Sequence, residues 1–232
     1  MGGNSTLNYQ GERGRRIDPR IRAAATFSVP CHFADCSQVL ARKSNRVYMH
    51  KFLRTLRAKV RTKKARFPDA VDDSGLNQMR TFLEFDERFT APTNGFRDAM
   101  DYWTSVSSLQ FLPAIRVPTL LVNAKNDPFL APSCFPEAEA RESDYFHFEA
   151  TEHGGHVGFA QFRRGGWFWS EERAFEFIAR AVAAELDRTG PARSEAQASA
   201  AKKTPKKAAK RATKRTKKKT VRKTANQRKP TR

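Results

Sequence analysis

Two short segments of the chain carry the residue types of an acid–base pair. The first is N-D-P-F-L at residues 126–130, and the second is E-H-G-G-H-V-G-F at residues 152–159. Asp127 and His156 each follow a short run with the composition of a β-strand. A carboxylate that binds one imidazole nitrogen fixes the tautomer, so that the other nitrogen can take a proton from a hydroxyl nucleophile. The segments therefore predict two members of a Ser…Asp…His array, with the aspartate before the histidine.

Each of these residues also has an ordinary structural interpretation. Asp127 stands before a proline, where aspartates commonly form turns or helix caps. A single histidine is more often structural than catalytic. Gly154 and Gly155, however, allow the backbone to turn sharply beside a ligand. The combination of the two loops favours His156 as a general base, and it assigns His153 to support of the loop.

The three cysteines suggest less chemistry. Cys31 is followed by His32, which permits a nucleophile-and-base interpretation, but sequence neighbours seldom face each other and an ordinary loop is favoured. Cys31, Cys36 and Cys134 are odd in number and lack paired C-x-x-C spacing. The cysteines therefore indicate neither a disulfide framework nor a zinc site, and they fit a reducing cytosol.

Three apolar runs of strand length predict the sheet that positions these loops. They lie at residues 21–29, 118–125 and 144–150. A continuous apolar run between a proline and a polar cluster is typical of a buried parallel strand, and ligand sites lie at the carboxyl ends of such strands. The intervening periodic segments predict an α/β fold with helices at residues 4–10, 44–66, 81–92, 95–106 and 170–186.

Two of these helices carry further expectations. The helix at 44–66 combines an apolar stripe with a strongly basic face, which suits either a solvated surface or an acidic partner or membrane, and the solvated surface is favoured. In the helix at 170–186, Ser170 is the expected N-cap. The spacing predicts that the side chains facing the core are Phe175, Ile178, Val182 and Leu186.

The charge of the chain is concentrated at its C-terminal end. The formal net charge of the 232 residues is +20, and residues 193–232 hold 17 Lys or Arg against one acid. Residues 191–232 have almost no large apolar side chains, so we expect them to be disordered. Residues 192–232 have enough cations to neutralise phosphates, and without aromatic side chains they would bind nucleic acid non-specifically. A solubilising tail without a dedicated partner is the alternative.

The chain opens without a charged and apolar leader, and no apolar run approaches the ~18 residues of a membrane span. We therefore expect a cytoplasmic protein with no membrane span.

Several segments together resemble one family, the YheT-like α/β-hydrolases, which are esterases. The matching motifs include N-R-V-Y-M-H-K-F-L at 45–53, F-D-E-R-F-T-A-P at 85–92 and R-V-P-T-L-L-V-N-A at 116–124. M-G-G-N at the start and the two loops described above also match. The motifs follow the family order from residue 1 to about residue 187, so the resemblance covers all but the tail.

The resemblance implies an activity and a domain plan. It implies a serine carboxylesterase that acts on small acyl-ester substrates without a cofactor or metal, with Asp127 as the triad acid and His156 as the base. It makes residues 1–190 a partial α/β-hydrolase domain with a lid-like helical insertion at residues 31–92. The alternative function is a hydrolase remnant that associates with nucleic acid through its basic tail.

The departure from the family pattern lies at the first residues. In the family, G-G-N follows G-x-S-L, where the serine is the nucleophile. Met1, Gly2 and Gly3 would then be the remnant of the nucleophile elbow and oxyanion hole, and the serine would precede Met1. Either a true truncation or a start assigned too late would explain this. On this interpretation the 232-residue chain by itself is inactive.

Overall fold

The fold is described from a computed structural model of the chain. The structure describes residues 2–159 and 168–202, with side chains up to residue 187. Two compact units are recognised, residues 1–182 and 183–232. The first unit contains the sheet, its flanking helices and both loops of interest.

The central element of the described chain is a three-stranded parallel sheet. Its strands are β1 (Ala24–Phe27), β2 (Thr119–Ala124) and β3 (Phe146–Thr151), which lie side by side in this order. All six residues of β2 are buried, as expected for a strand that is paired on both edges and covered on both faces. The three predicted strands and the partial α/β-hydrolase fold class are confirmed.

Helices cover the sheet and fill the long connection between β1 and β2. They are α1 (Gly2–Arg13), α2 (Phe33–Leu40), α3 (Arg46–Arg66), α4 (Phe82–Phe85), α5 (Ala91–Thr93), α6 (Ala99–Val106), α7 (Glu137–Arg141) and α8 (Trp169–Lys202). A π-helical turn at Asp86–Thr90 joins α4 to α5. Short 3₁₀ turns lie at Gly14–Arg16, Lys43–Asn45, Ser108–Ala114 and Pro132–Cys134.

Separate apolar clusters stabilise the sheet and the connection. One cluster packs α1 and the 3₁₀ turn at Ser108–Ala114 against one face of the sheet, with Leu7, Leu112 and Leu121 fully buried. A second cluster lies within residues 49–85 and includes Leu53. Since the predicted 31–92 insertion has this core of its own, it is more than a surface loop. Its role as a lid remains a prediction.

The N-terminal helix is longer than predicted and continues through a glycine. Gly11 indicated a loop, yet α1 continues through it to Arg13. A side chain at this position would come within 2.3 Å of the Phe111 carbonyl oxygen. Gly11 therefore allows close packing of two elements and does not break the helix.

The last helix departs from the sequence prediction in two ways. Phe175 and Leu186 are exposed, whereas Trp169 and Phe177 pack against the sheet cluster, so the predicted inward face is wrong. The helix begins at Trp169, so Ser170 is not its N-cap. It also continues to Lys202, which places a helix over the first part of the segment expected to be disordered. That part is rich in alanine, the strongest helix former.

Candidate active site

Asp127 is held in place by the backbone at the end of β2. Its N–H donates to the carbonyl of Ala124 (3.1 Å), and its Oδ1 accepts the N–H of Phe129 (2.9 Å). The side chain of Asp127 is completely buried. One carboxylate oxygen thus fixes the turn, while Oδ2 remains for another partner.

The loop after β3 positions His156 through its glycines. Gly155 has a positive φ of 57°, a conformation that glycine adopts without steric cost. At Gly154 a Cβ atom would lie 2.7 Å from the Phe159 ring. The carbonyl of Gly154 accepts the N–H groups of Gly158 (3.1 Å) and Phe159 (3.0 Å). The loop therefore closes on itself tightly, with His156 at its tip.

The two loops meet at a direct side-chain contact. His156 Nδ1 lies 2.8 Å from Asp127 Oδ2, and the imidazole is 34% exposed. A second bond joins the loops one residue earlier, since Gly155 N–H donates to Asn126 Oδ1 (2.9 Å). An ionised carboxylate can only accept, so Nδ1 carries the hydrogen and Nε2 carries the lone pair that can take a proton. This is the arrangement that a general base requires.

Aromatic side chains connect the imidazole to α3. The ring of Phe129 lies 4.7 Å from the His156 ring, and the rings of Tyr48 and Phe52 lie 4.8 and 5.7 Å from Phe129. The buried Asn45 donates to the carbonyl oxygen of residue 128 (2.8 Å), just before Phe129. The long connection between β1 and β2 is thus anchored at the Asp127 loop, whose Phe129 lies against the histidine.

The start of α1 lies at the same edge of the sheet. A Cβ atom on Gly3 would come 2.5 Å from Val29, which follows β1, whereas Gly2 has open space around it. Val29 is in turn bonded through its N–H and carbonyl to the side chain of Asn123 on β2. Gly2 and Gly3 are therefore placed at the carboxyl ends of the strands. Met1 lies outside the described residues.

The alternative pairing of Cys31 with His32 is wrong. Cys31 is completely buried, and burial raises the pKa of its thiol. His32 instead caps α2, where its Nδ1 accepts the N–H of Asp35 (3.3 Å). The thiol is thus protonated, and His32 is engaged in the cap of α2. His153 is exposed in its loop, and His147 contacts the ring of Phe177.

An ion pair crosses the two loops at the surface. Lys125 Nζ lies 2.5 Å from Glu152 Oε1, and this hydrogen bond lowers the pKa of the Glu152 carboxyl. Both side chains are more than half exposed, so the pair adds little stability.

Within residues 2–159 and 168–187, no cluster of His, Cys, Asp or Glu has the composition and geometry of a metal site. None of the described helices is long and apolar enough to cross a bilayer.

Sequence reasoning missed three positioning residues. Asn126 and Phe129 stand in the quoted N-D-P-F-L motif, but no role was assigned to them. Asn45 is distant in sequence, and only its place just before the long helix could have drawn attention to it. Their roles depend on contacts between separate segments, which spacing along one segment does not reveal.

Several known proteins are similar in sequence to this chain, although no family model matches it. The YheT protein of Escherichia coli K12, whose name describes an esterase, is 34% identical over 161 residues, which cover 68% of this chain and 46% of that protein. Phospholipase ABHD3 of Mus musculus is 33% identical over 162 residues, covering 69% and 39%. Monoacylglycerol lipase of Saccharomyces cerevisiae is 28% identical over 179 residues, covering 74% and 39%.

The parallel sheet, the order of the two loops and these similarities define the class of the protein. The chain belongs to the α/β-hydrolase family. It spans less than half the length of each of the three relatives described above.

Proposed function

We propose that the protein is a serine-type hydrolase of acyl esters in which Asp127 and His156 are the catalytic acid and base. The observation that carries this proposal is the 2.8 Å contact between Nδ1 of His156 and Oδ2 of the buried Asp127. The names of the three relatives, an esterase, a phospholipase and a monoacylglycerol lipase, support the same reaction class.

The proposed reaction needs a serine immediately before Met1, as the family pattern implies. Its hydroxyl attacks the ester carbonyl while Nε2 of His156 takes the proton. Asp127 stabilises the imidazolium that forms, and the N–H of residue 1 donates to the oxyanion. The imidazolium then protonates the leaving alcohol. Water, activated by the same imidazole, hydrolyses the acyl-enzyme.

The surroundings of His156 favour an apolar acyl group. Phe129 lies against the imidazole, and Tyr48 and Phe52 extend this surface along α3. Burial of each acyl CH₂ contributes about 0.8 kcal/mol, so a chain that lies along these rings binds better than acetate. The segment 31–92 would act as the lid that supplies this surface.

A chimera that supplies the nucleophile segment tests the proposal, and the 232-residue chain by itself is the comparison. The part of E. coli YheT that precedes the matched region, with its nucleophile segment, would be fused to residue 1 of this chain. We expect the chimera to hydrolyse p-nitrophenyl esters, whereas residues 1–232 alone show no turnover above a buffer blank. A serine-to-alanine variant of the nucleophile is the control. Turnover by residues 1–232 that disappears in His156→Ala would contradict the assignment of the nucleophile.

A second candidate function rests on the composition of the C-terminal segment. We propose that residues 192–232 bind nucleic acid without sequence specificity, because residues 193–232 contain 17 Lys or Arg and only one acidic residue. These residues largely lie outside those the structure describes. The basic face of helix α3 is the alternative surface for binding nucleic acid. Two of its cations already have partners, since Arg57 donates to the carbonyls of Leu76 and Met79 and Lys64 donates to the carbonyl of residue 68.

The two basic surfaces predict different results with labelled duplex DNA. Fluorescence anisotropy should show binding that weakens about 10³-fold between 50 and 200 mM salt. Deletion of residues 192–232 should abolish the binding, and exchange of Lys51, Arg54 and Lys59 for glutamine should preserve it. Binding that survives the deletion would exclude the C-terminal segment as the binding surface.

A further inference from the structure

Three buried cysteines form a cluster that the proposed hydrolysis does not use. Cys36 Sγ lies 3.3 Å from Cys134 Sγ, a direct thiol–thiol contact. Cys31 belongs to the same apolar cluster, and all three side chains are free thiols. Exposure is 3% for Cys36 and zero for Cys31 and Cys134. Formation of a disulfide would require the two closest sulfurs to approach to about 2.0 Å.

The two closest cysteines come from different parts of the chain. Cys36 lies on α2, at the start of the segment between β1 and β2, and Cys134 ends the 3₁₀ turn that follows the Asp127 loop. They are 98 residues apart. The carbonyl of Cys134 accepts a hydrogen bond from Asn123 Nδ2 (2.7 Å). A side chain of β2, the strand that precedes Asp127, therefore fixes the backbone of Cys134.

The hydrogen bond between the two thiols makes them unequal in acidity. The hydrogen bond between the two thiols lowers the pKa of Cys134, and the backbone N–H groups of His32, Ala131 and Cys31 act in the same direction, whereas burial opposes them. The same hydrogen bond and burial raise the pKa of Cys36. Cys134 is therefore the more acidic thiol of the pair. Thiolates are the form that reacts with peroxides.

We propose that Cys36 and Cys134 are a reversible oxidation site that forms a disulfide with a hydroperoxide. The Cys134 thiolate attacks one peroxide oxygen, breaks the O–O bond and becomes a sulfenic acid, while the leaving oxygen is protonated to water or an alcohol. Cys36 sulfur then displaces the sulfenic hydroxyl, which leaves as water with the Cys36 proton. Two electrons pass from the sulfurs to the peroxide, and a dithiol reductant reverses the step.

The bond would tie α2 to the segment that begins with Asp127. In the reduced state, packing and hydrogen bonds alone hold these parts together. The disulfide would restrict movement of α2 away from the Asp127 loop. This inference does not depend on the proposed ester hydrolysis.

Peptide mapping of the full chain tests the proposal. The folded protein would be treated with hydrogen peroxide, and its remaining thiols would be alkylated in denaturant before digestion with trypsin. We expect a disulfide-linked pair of peptides, residues 23–42 and 126–141, and a fall from three alkylated thiols to one. Dithiothreitol should restore all three. Retention of all three thiols after peroxide treatment would overturn the proposal.

Single substitutions identify the partner, since residues 23–42 contain both Cys31 and Cys36. The linked pair should persist in Cys31→Ala and be lost in Cys36→Ala. A linked pair that survives Cys36→Ala but disappears in Cys31→Ala would overturn the assignment. If Cys36→Ala fails to fold, fragmentation of the linked peptides from the unaltered chain locates the sulfur directly. A bond to Cys31 would contradict the proposal.

Discussion

Replacement of Asp127 by asparagine should lower kcat of the chimera described above about 10⁴-fold, with KM little changed. An amide keeps the size of the carboxylate but carries no charge, and its NH₂ group can turn toward Nδ1 and stabilise the wrong tautomer. The imidazole then presents a hydrogen to the serine where a lone pair is needed. Steady-state hydrolysis of a p-nitrophenyl ester would measure the loss.

A matched control separates this effect from disturbance of the loop. Glu152→Gln removes an exposed carboxylate that pairs with Lys125 across the same two loops. It should leave kcat within a few fold, because the pair is solvent-screened and does not contact His156 directly. An Asp127→Asn variant that retained more than a tenth of the activity would remove Asp127 from the mechanism.

The isolated chain offers a test that requires no turnover. Nitrogen-15 NMR of residues 1–232 should report His156 as the Nδ1–H tautomer when the imidazole is neutral. In Asp127→Asn this preference should weaken. The readout distinguishes a failure of the chimera to fold from a failure of the acid–base assignment.

Replacement of Asn123 by alanine should destabilise the protein by about 3–5 kcal/mol. Its fully buried side chain accepts the N–H of Val29 (2.8 Å) and donates to the carbonyls of Val29 (3.2 Å) and Cys134 (2.7 Å). Among the described residues, alanine would leave the N–H of Val29 and the carbonyl of Cys134 without partners, and the carbonyl of Val29 with only the weak donor Cys31 Sγ (3.5 Å). Each such group costs about 1–3 kcal/mol.

Urea unfolding followed by circular dichroism would measure the change in the free energy of unfolding. Asn77→Ala is the matched control, because this exposed asparagine accepts one hydrogen bond from Arg61 at the surface. It should change stability by less than about 0.5 kcal/mol. Equal effects for the two variants would show that the buried network around Asn123 contributes no more than a surface contact.

The sequence predicted most of the sheet and of the acid–base pair because these depend on local pattern. Residues 119–124 are a continuous apolar run, as a strand buried on both faces must be. Asp127 and His156 follow their strands at the turn, and parallel strands bring such turns to one edge. The apolar spacing predicted the wrong buried face for α8. It indicated Phe175 and Leu186, which are exposed, whereas Phe177 packs against the sheet cluster.

By itself, the sequence determined the residue types, their order and the strands that precede them, since these follow from side-chain chemistry and periodicity. Only the tertiary structure decided which separate segments touch. It brought Phe129 and Asn126 against the histidine loop, made Gly11 a packing residue and placed Cys36 against Cys134. Contacts across 27 to 100 residues depend on how whole elements pack, and no local pattern encodes that packing.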